Sequence, residues 1–188
     1  MGVAGANMLL LRKVVFTVST LLLRLAICAW IGAAALFVIT SVAEQTSPEF
    51  GSVVRDQLAT VRFPYYYQFG FGTHVLSAIV GLTAWMTAEV GRRRLLAVWL
   101  LVLTSGVLIT LDYRYVYLPL QELIVPPGNV RTAEFMQLHN WSRHANECHV
   151  TVMFLAALLA CTPLPQRSST STDRESAGDP DAHTNSAQ

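Results

Sequence analysis

Charged residues are scarce in this chain. Lys, Arg, Asp and Glu make up 13% of its 188 residues, whereas soluble domains usually carry about 25%. The apolar residues, 53% of the total, gather in long runs instead of spreading evenly. A formal net charge of +1 provides no basic surface for nucleic acid, so we expect no such partner. This composition predicts a multi-pass integral membrane protein whose main partner is the lipid bilayer.

Hydrolytic and phosphate-binding motifs are missing as well. The sequence has no His-Glu-x-x-His, no G-x-S-x-G and no P-loop. Ser142 follows His139 by one helical turn, but no oxyanion donor is recognisable, so we predict that the protein is not an enzyme. Cysteine is rare: the three are Cys28, Cys148 and Cys161, and Cys28 and Cys161 lie within apolar runs and lack the spacing of a metal site. We interpret Cys28 and Cys161 as small buried hydrophobic residues.

Four apolar segments can each cross the bilayer as a helix. A span of about 30 Å of hydrocarbon needs about 20 helical residues. We place the spans at about residues 21–43, 70–90, 95–111 and 141–162, joined by polar connections at 44–69 and 112–134. The first apolar run also admits a second interpretation, a signal peptide that ends at Ser41-Val42-Ala43.

The predicted fold class is therefore all-α, an integral membrane four-helix bundle over residues 1–165. Residues 166–188 are rich in Ser, Thr and Asp and have no apolar period, which predicts a disordered C-terminal tail. The basic cluster Arg92–Arg94 lies in the shortest connection and should face the cytoplasm. Both termini are then cytoplasmic, and the tyrosines at 65–67 and 113–117 belong to the outer interface.

A polar stripe leads into the fourth apolar segment. At about 100° per residue, one helical face carries Phe135, His139, Ser142, Asn146 and His149. A polar side chain that faces lipid costs free energy unless it is paired. The stripe is therefore predicted to face the other helices.

The ends of this last helix are also marked in the sequence. Thr132 is predicted to cap its N-terminus, and Pro163 follows its end near residue 162. On its exposed side, Arg143 and Glu147 are four residues apart and are expected to form an ion pair. We expect Glu89 to pair with the Arg92–Arg94 cluster.

Topology adds two residues to the stripe. His74 opens the second span and Asp112 closes the third, both on the predicted outer side. The candidate binding residues in this outer half of the bundle are His74, Asp112, His139, Ser142, Asn146 and His149. The simplest interpretation is that they form interhelical hydrogen bonds that stabilise the bundle. A role in binding or passing a small molecule is the functional interpretation.

A histidine-ligated copper or haem protein is the alternative function. His74 together with His139 or His149 would supply the ligands, and Asp112 would orient one imidazole. Because no metal-ligand spacing supports it, we assign no metal ligand and no cofactor. Small residues at Gly32, Ala33, Ala156 and Ala160 suit either internal packing or a homo-oligomer.

Three short segments of the chain carry a family resemblance: Phe135-x-x-Leu138-His139-x-x-Ser142-x-x-x-Asn146, Phe63-Pro64-Tyr65-Tyr66 and Leu118-Pro119. They resemble the transmembrane protein 205-like family, a domain of unknown function. The first is similar to its F-x-x-x-H-G-x-S-x-x-x-N signature, with Asn140 in place of the glycine. The last follows an Asp112 where the family often has Asn. The resemblance covers roughly residues 25–160 and implies a four-span membrane protein without an assigned reaction.

Overall fold

The computed structural model describes residues 3–163, and within that range every regular element is helical. The elements are α1 (Val3–Thr46), α2 (Ser52–Thr87), α3 (Arg92–Asp112), a π-helical turn (Tyr113–Tyr117), α4 (Leu118–Leu123) and α5 (Ala133–Cys161). Four helical stretches are long and apolar enough to cross a membrane. The all-α, four-helix prediction is confirmed to that extent. The predicted tail at 166–188 lies outside the described residues.

The two ends of the bundle differ in charge. At one end, called here the arginine end, the first three residues of α3 are Arg92, Arg93 and Arg94. At the other, the Asp56 end, Asp56 of α2 pairs with Arg131 of the connection before α5. Which end faces the cytoplasm stays a prediction.

The ends of α5 follow from local sequence. The Thr132 side chain accepts a hydrogen bond of 3.1 Å from the backbone N–H of Phe135, which satisfies one free donor of the first turn. After Cys161 the chain becomes extended at Thr162, directly before Pro163. The predicted boundaries of this helix are confirmed.

The segment expected as a polar connection at 44–69 is mostly helix. α2 already begins at Ser52 and continues through Pro64. Two of the charges that suggested a watery loop form an ion pair between helices instead, with 2.8 Å between the guanidinium of Arg62 and the carboxylate of Glu44 of α1. An internal proline is tolerated in such helices because neighbouring helices satisfy the freed backbone groups.

The third span is also longer than expected. α3, the π-helical turn and α4 run from Arg92 to Leu123, beyond the predicted end at residue 111. The π-helical turn directly follows Asp112 and contains three tyrosines. The non-helical connection is thereby shortened to residues 124–132.

The helices approach each other closely where α2 meets α1 and α3. A Cβ atom on Gly70 would lie 2.7 Å from Cδ1 of Ile109 and 2.8 Å from Cη2 of Trp30. Both neighbours are fully buried. A glycine at this position therefore sets the close approach of the three helices.

Several smaller expectations are corrected or refined. Cys28 and Cys161 are exposed on the bundle surface, so the prediction that they are buried is wrong. Glu89 pairs with Arg12 of α1 at 3.8 Å, not with the arginine cluster. Ala156 and Ala160 are buried inside the bundle, which favours internal packing at those two positions.

Candidate functional site

A layer of buried polar groups crosses the middle of the bundle. This central polar layer consists of Trp30 of α1, His74 and Ser77 of α2, Ser105 of α3 and His149 of α5, none of them more than 5% exposed. The two histidines lie near the midpoints of their helices, whereas the sequence placed them in the outer half. The reason is that α2 and α5 both begin well before the predicted spans.

Hydrogen bonds connect three helices within this layer. Nδ1 of His74 lies 2.8 Å from the carbonyl oxygen of Gly70, and its Nε2 lies 2.9 Å from Oγ of Ser105. The Ser105 hydroxyl is also 3.0 Å from the carbonyl oxygen of His149, to which it can donate. These three contacts need three hydrogens, but a neutral imidazole and a hydroxyl supply only two. A neutral His74 therefore leaves one of the contacts without its hydrogen.

His149 differs from His74 in having no such partners. Its side chain is 0% exposed, yet over the described residues neither ring nitrogen has a hydrogen-bond partner. The ring stacks on the indole of Trp30 with 5.8 Å between centroids. The indole N–H of Trp30 and the hydroxyl of Ser77 also have no partner there. The layer thus presents several unused donors and one unused ring acceptor.

A second tier of polar contacts lies toward the Asp56 end. The hydroxyl of Tyr66 donates to Oδ1 of Asn146 over 2.5 Å, joining α2 to α5. The hydroxyl of Tyr67 donates to Oδ2 of Asp112 over 2.7 Å, joining α2 to α3. Because consecutive helical residues point about 100° apart, two adjacent tyrosines reach two different helices.

The remaining stripe residues stand apart from these groups. His139 is exposed and stacks on Phe135 of its own helix, with 5.9 Å between ring centroids. Ser142 is only partly buried. The prediction that His139 faces the other helices is wrong, because its side chain is exposed and its ring packs on its own helix. Arg143 and Glu147 form the expected pair on the exposed face, at 3.8 Å.

Sequence reasoning missed several members of the site. Trp30, Ser77 and Ser105 occur inside apolar runs. A single indole or hydroxyl in such a run normally packs in the core or at a helix–helix contact. Tyr66 and Tyr67 were assigned to the membrane interface, yet both are buried. A useful signal was available for Ser105, since a serine followed directly by Gly106 permits close approach by a partner helix.

The copper or haem alternative finds little support in this geometry. Within residues 3–163 no group of three or more His, Cys, Asp and Glu side chains is arranged to hold a metal ion. Both ring nitrogens of His74 are already in hydrogen bonds, and Trp30 packs against the rings of both His74 and His149. A haem between the two histidines would have to displace that indole.

Comparisons with known proteins gave no assignment. No family model, no curated protein and no solved structure matches this chain significantly. The resemblance to the transmembrane protein 205-like family therefore stays a prediction.

Proposed function

We propose that this chain, with its four membrane-type helices, is a multi-pass membrane protein that binds a small neutral molecule in the central polar layer. The observation that carries the proposal is His149, which is 0% exposed and has no hydrogen-bond partner on either ring nitrogen within the described residues. Leaving a buried polar group unpaired costs about 1–3 kcal/mol. A bound molecule that bonds to the imidazole offsets this cost.

The chemistry of the layer favours an uncharged ligand that carries oxygen acceptors. Its unused groups are chiefly donors: the indole N–H of Trp30, the hydroxyl of Ser77 and one N–H of His149. None of the five residues that define the layer is Asp, Glu, Lys or Arg, so an ion would be buried there without a countercharge. A carbonyl or hydroxyl compound fits these groups without that cost.

We also propose that the bound molecule passes from the central polar layer toward the Asp56 end. Asn146 lies one turn from His149 on α5, and its amide is bonded to Tyr66 in the second tier. Polar side chains thus continue from the central layer toward the Asp56 end. A small neutral solute can exchange hydrogen bonds along this line.

The test is nitrogen NMR of the purified full chain with 15N-labelled histidine, using urea and glycerol as probes. We expect one of them to shift the His149 ring nitrogens in a saturable way. The His149→Phe variant assigns these signals and keeps an aromatic ring against Trp30. His144→Phe, on the exposed face of α5, is the matched control.

The outcome that contradicts the proposal is specific. The His149 signals would then stay unchanged with both probes. Proteoliposomes of the protein and of His149→Phe would also show equal permeability to urea and glycerol. These two results together would mean that the central polar layer binds no ligand. Hydrogen bonds between helices would then be its sole role.

A further inference from the structure

A separate cavity of about 230 Å³ lies beside the π-helical turn. Its walls include the rings of Tyr67, Phe71, Tyr113 and Tyr117 and the side-chain amides of Gln68 and Gln121. Ring centroids of Tyr67 and Tyr117 are 4.6 Å apart, and those of Tyr67 and Tyr113 are 5.0 Å apart. The rings therefore form one continuous aromatic wall.

A carboxylate lies directly behind this wall. Asp112 is 3% exposed, and its Oδ2 accepts a hydrogen bond from Tyr67, whose side chain lines the cavity. Over residues 3–163 its Oδ1 has no hydrogen-bond partner, and no Lys, Arg or His side chain forms an ion pair with it. A buried carboxylate without a cation is costly. In a low-dielectric surrounding a charge acts over a longer distance than in water, so this carboxylate can attract a cation in the cavity that Tyr67 lines.

One of the tyrosines that line the cavity has an unused hydroxyl. Tyr117 is 5% exposed and lines the cavity, and its hydroxyl has no partner among the described residues. Tyr117 ends the π-helical turn and stacks on Tyr113 with 5.5 Å between centroids. Single π-helical turns occur frequently at functional sites. Here the turn sets two aromatic rings next to the buried acid.

We propose that this cavity, the Asp112 pocket, binds an organic cation, either a protonated amine or a quaternary ammonium group. Aromatic faces attract such cations, most strongly where water is excluded. An inorganic cation prefers a shell of oxygen ligands, which a wall made mostly of rings does not offer. The Asp112 carboxylate supplies the countercharge. This site is separate from the central polar layer, and either can exist without the other.

The experiment uses the full chain in dodecyl maltoside, a detergent without an ammonium group, with choline chloride as the probe. The matched neutral compound is 3,3-dimethylbutan-1-ol, which has nearly the same shape and no charge. Sodium chloride at equal concentration represents inorganic cations. We expect choline to raise the apparent unfolding temperature in a saturable way, and the other two to leave it unchanged.

Four variants show whether the pocket is responsible. Asp112→Asn should fold, because its amide oxygen still accepts the Tyr67 hydrogen bond, but should lose the response to choline. Tyr117→Leu should weaken choline binding about tenfold by removing one aromatic face. Tyr117→Phe should retain binding because it keeps the ring. Glu122→Gln, an exposed acid on α4, should behave like the unmodified protein.

The source of the cation is decided in nanodiscs. If a lipid headgroup is the natural ligand, added choline should have no effect in phosphatidylcholine and a full effect in phosphatidylglycerol. A free amine gives the same response in both lipids. Equal responses to choline and the alcohol, or to choline and sodium, overturn the proposal. The proposal is also overturned if Asp112→Asn responds to choline as the unmodified protein does. It is equally overturned if the unmodified protein responds to choline neither in detergent nor in phosphatidylglycerol nanodiscs.

Discussion

Two buried acids in this bundle, Asp56 and Asp112, are almost equally hidden, at 2% and 3% exposure. Asp56 accepts hydrogen bonds from the backbone N–H of Gly128, at 2.8 Å, and from the guanidinium of Arg131. Asp112 receives one hydrogen bond, from Tyr67, and has no cationic partner among the described residues. Within the described residues, Asp56 therefore has a cationic partner, whereas Asp112 has none.

If the Asp112 pocket binds a cation as proposed, this difference separates a structural acid from a binding acid. The Asp56–Arg131 pair fastens the connection before α5 onto α2, and Arg131 also lies 4.2 Å from the ring centroid of Phe135. Every partner of Asp56 is supplied by the fold. Asp112 instead accepts a hydrogen bond from Tyr67, which lines the cavity where we propose that a cation binds. Substitutions should therefore affect stability at the first site and ligand binding at the second.

The largest effect is expected from Asp56→Asn. It removes the charge from a buried pair and should lower the free energy of unfolding by about 3 kcal/mol, the low end for such pairs because Arg131 is partly exposed. Equilibrium unfolding in mixed dodecyl maltoside and SDS measures this. Glu49→Gln, which removes an exposed charge nearby, is the control. Equal stability of the two variants would show that Asp56 is not a structural acid.

Gly70→Ala should have the next largest effect. The new Cβ would lie within 3 Å of Trp30 and Ile109, so we expect a loss of about 1–3 kcal/mol in the same unfolding measurement. By moving α2 away from α3 it should also weaken the choline response at Asp112 while leaving the Asp56 pair intact. Gly72→Ala has no atom within 4 Å of its Cβ and should be neutral or slightly stabilising. Similar losses in the two variants would mean that the close contact at Gly70 is unimportant.

Asp112→Asn is expected to change stability by less than about 1 kcal/mol, because the amide keeps the Tyr67 hydrogen bond and removes an unpaired carboxylate. The unfolding curve of the ligand-free variant measures this. A loss as large as that of Asp56→Asn would place both acids in the structural class and remove the distinction between them.

The smallest effect belongs to an exposed ion pair. Arg143 and Glu147 are each more than 60% exposed, so Arg143→Gln should cost at most about 0.5 kcal/mol. This variant measures how much the free energy of unfolding falls when a charge is removed from an exposed ion pair. A cost of several kcal/mol in the unfolding measurement would show that burial is not what distinguishes Asp56.

Local signals were sufficient for some elements. The capping threonine and the following prolines located both ends of α5, because a cap and a break act within one turn of the chain. The same reasoning failed for 44–69, where Arg62, Asp56 and Glu44 looked like loop charges. Arg62 and Glu44 pair between α2 and α1, and Asp56 pairs with Arg131 in the connection before α5, which a local pattern does not reveal.

The candidate site was predictable only in part. His74, Asn146, His149 and Asp112 were selected because polar groups at membrane depth must be paired, and all four are at least partly buried in the bundle. Helical periodicity also selected His139, which is exposed. Helical periodicity gives the direction of a side chain around its helix, but it does not show which turns of that helix the neighbouring helices cover.

The amino-acid sequence by itself determined that this chain forms a few long apolar helices, because composition and run length act without reference to distant residues. Among the described residues, tertiary structure alone decided that His149 has no hydrogen-bond partner, that Trp30 packs against two histidines, and that Asp56 but not Asp112 meets an arginine. Those outcomes depend on the depth and rotation at which separate helices meet. Such quantities are set by packing across the bundle, as at Gly70.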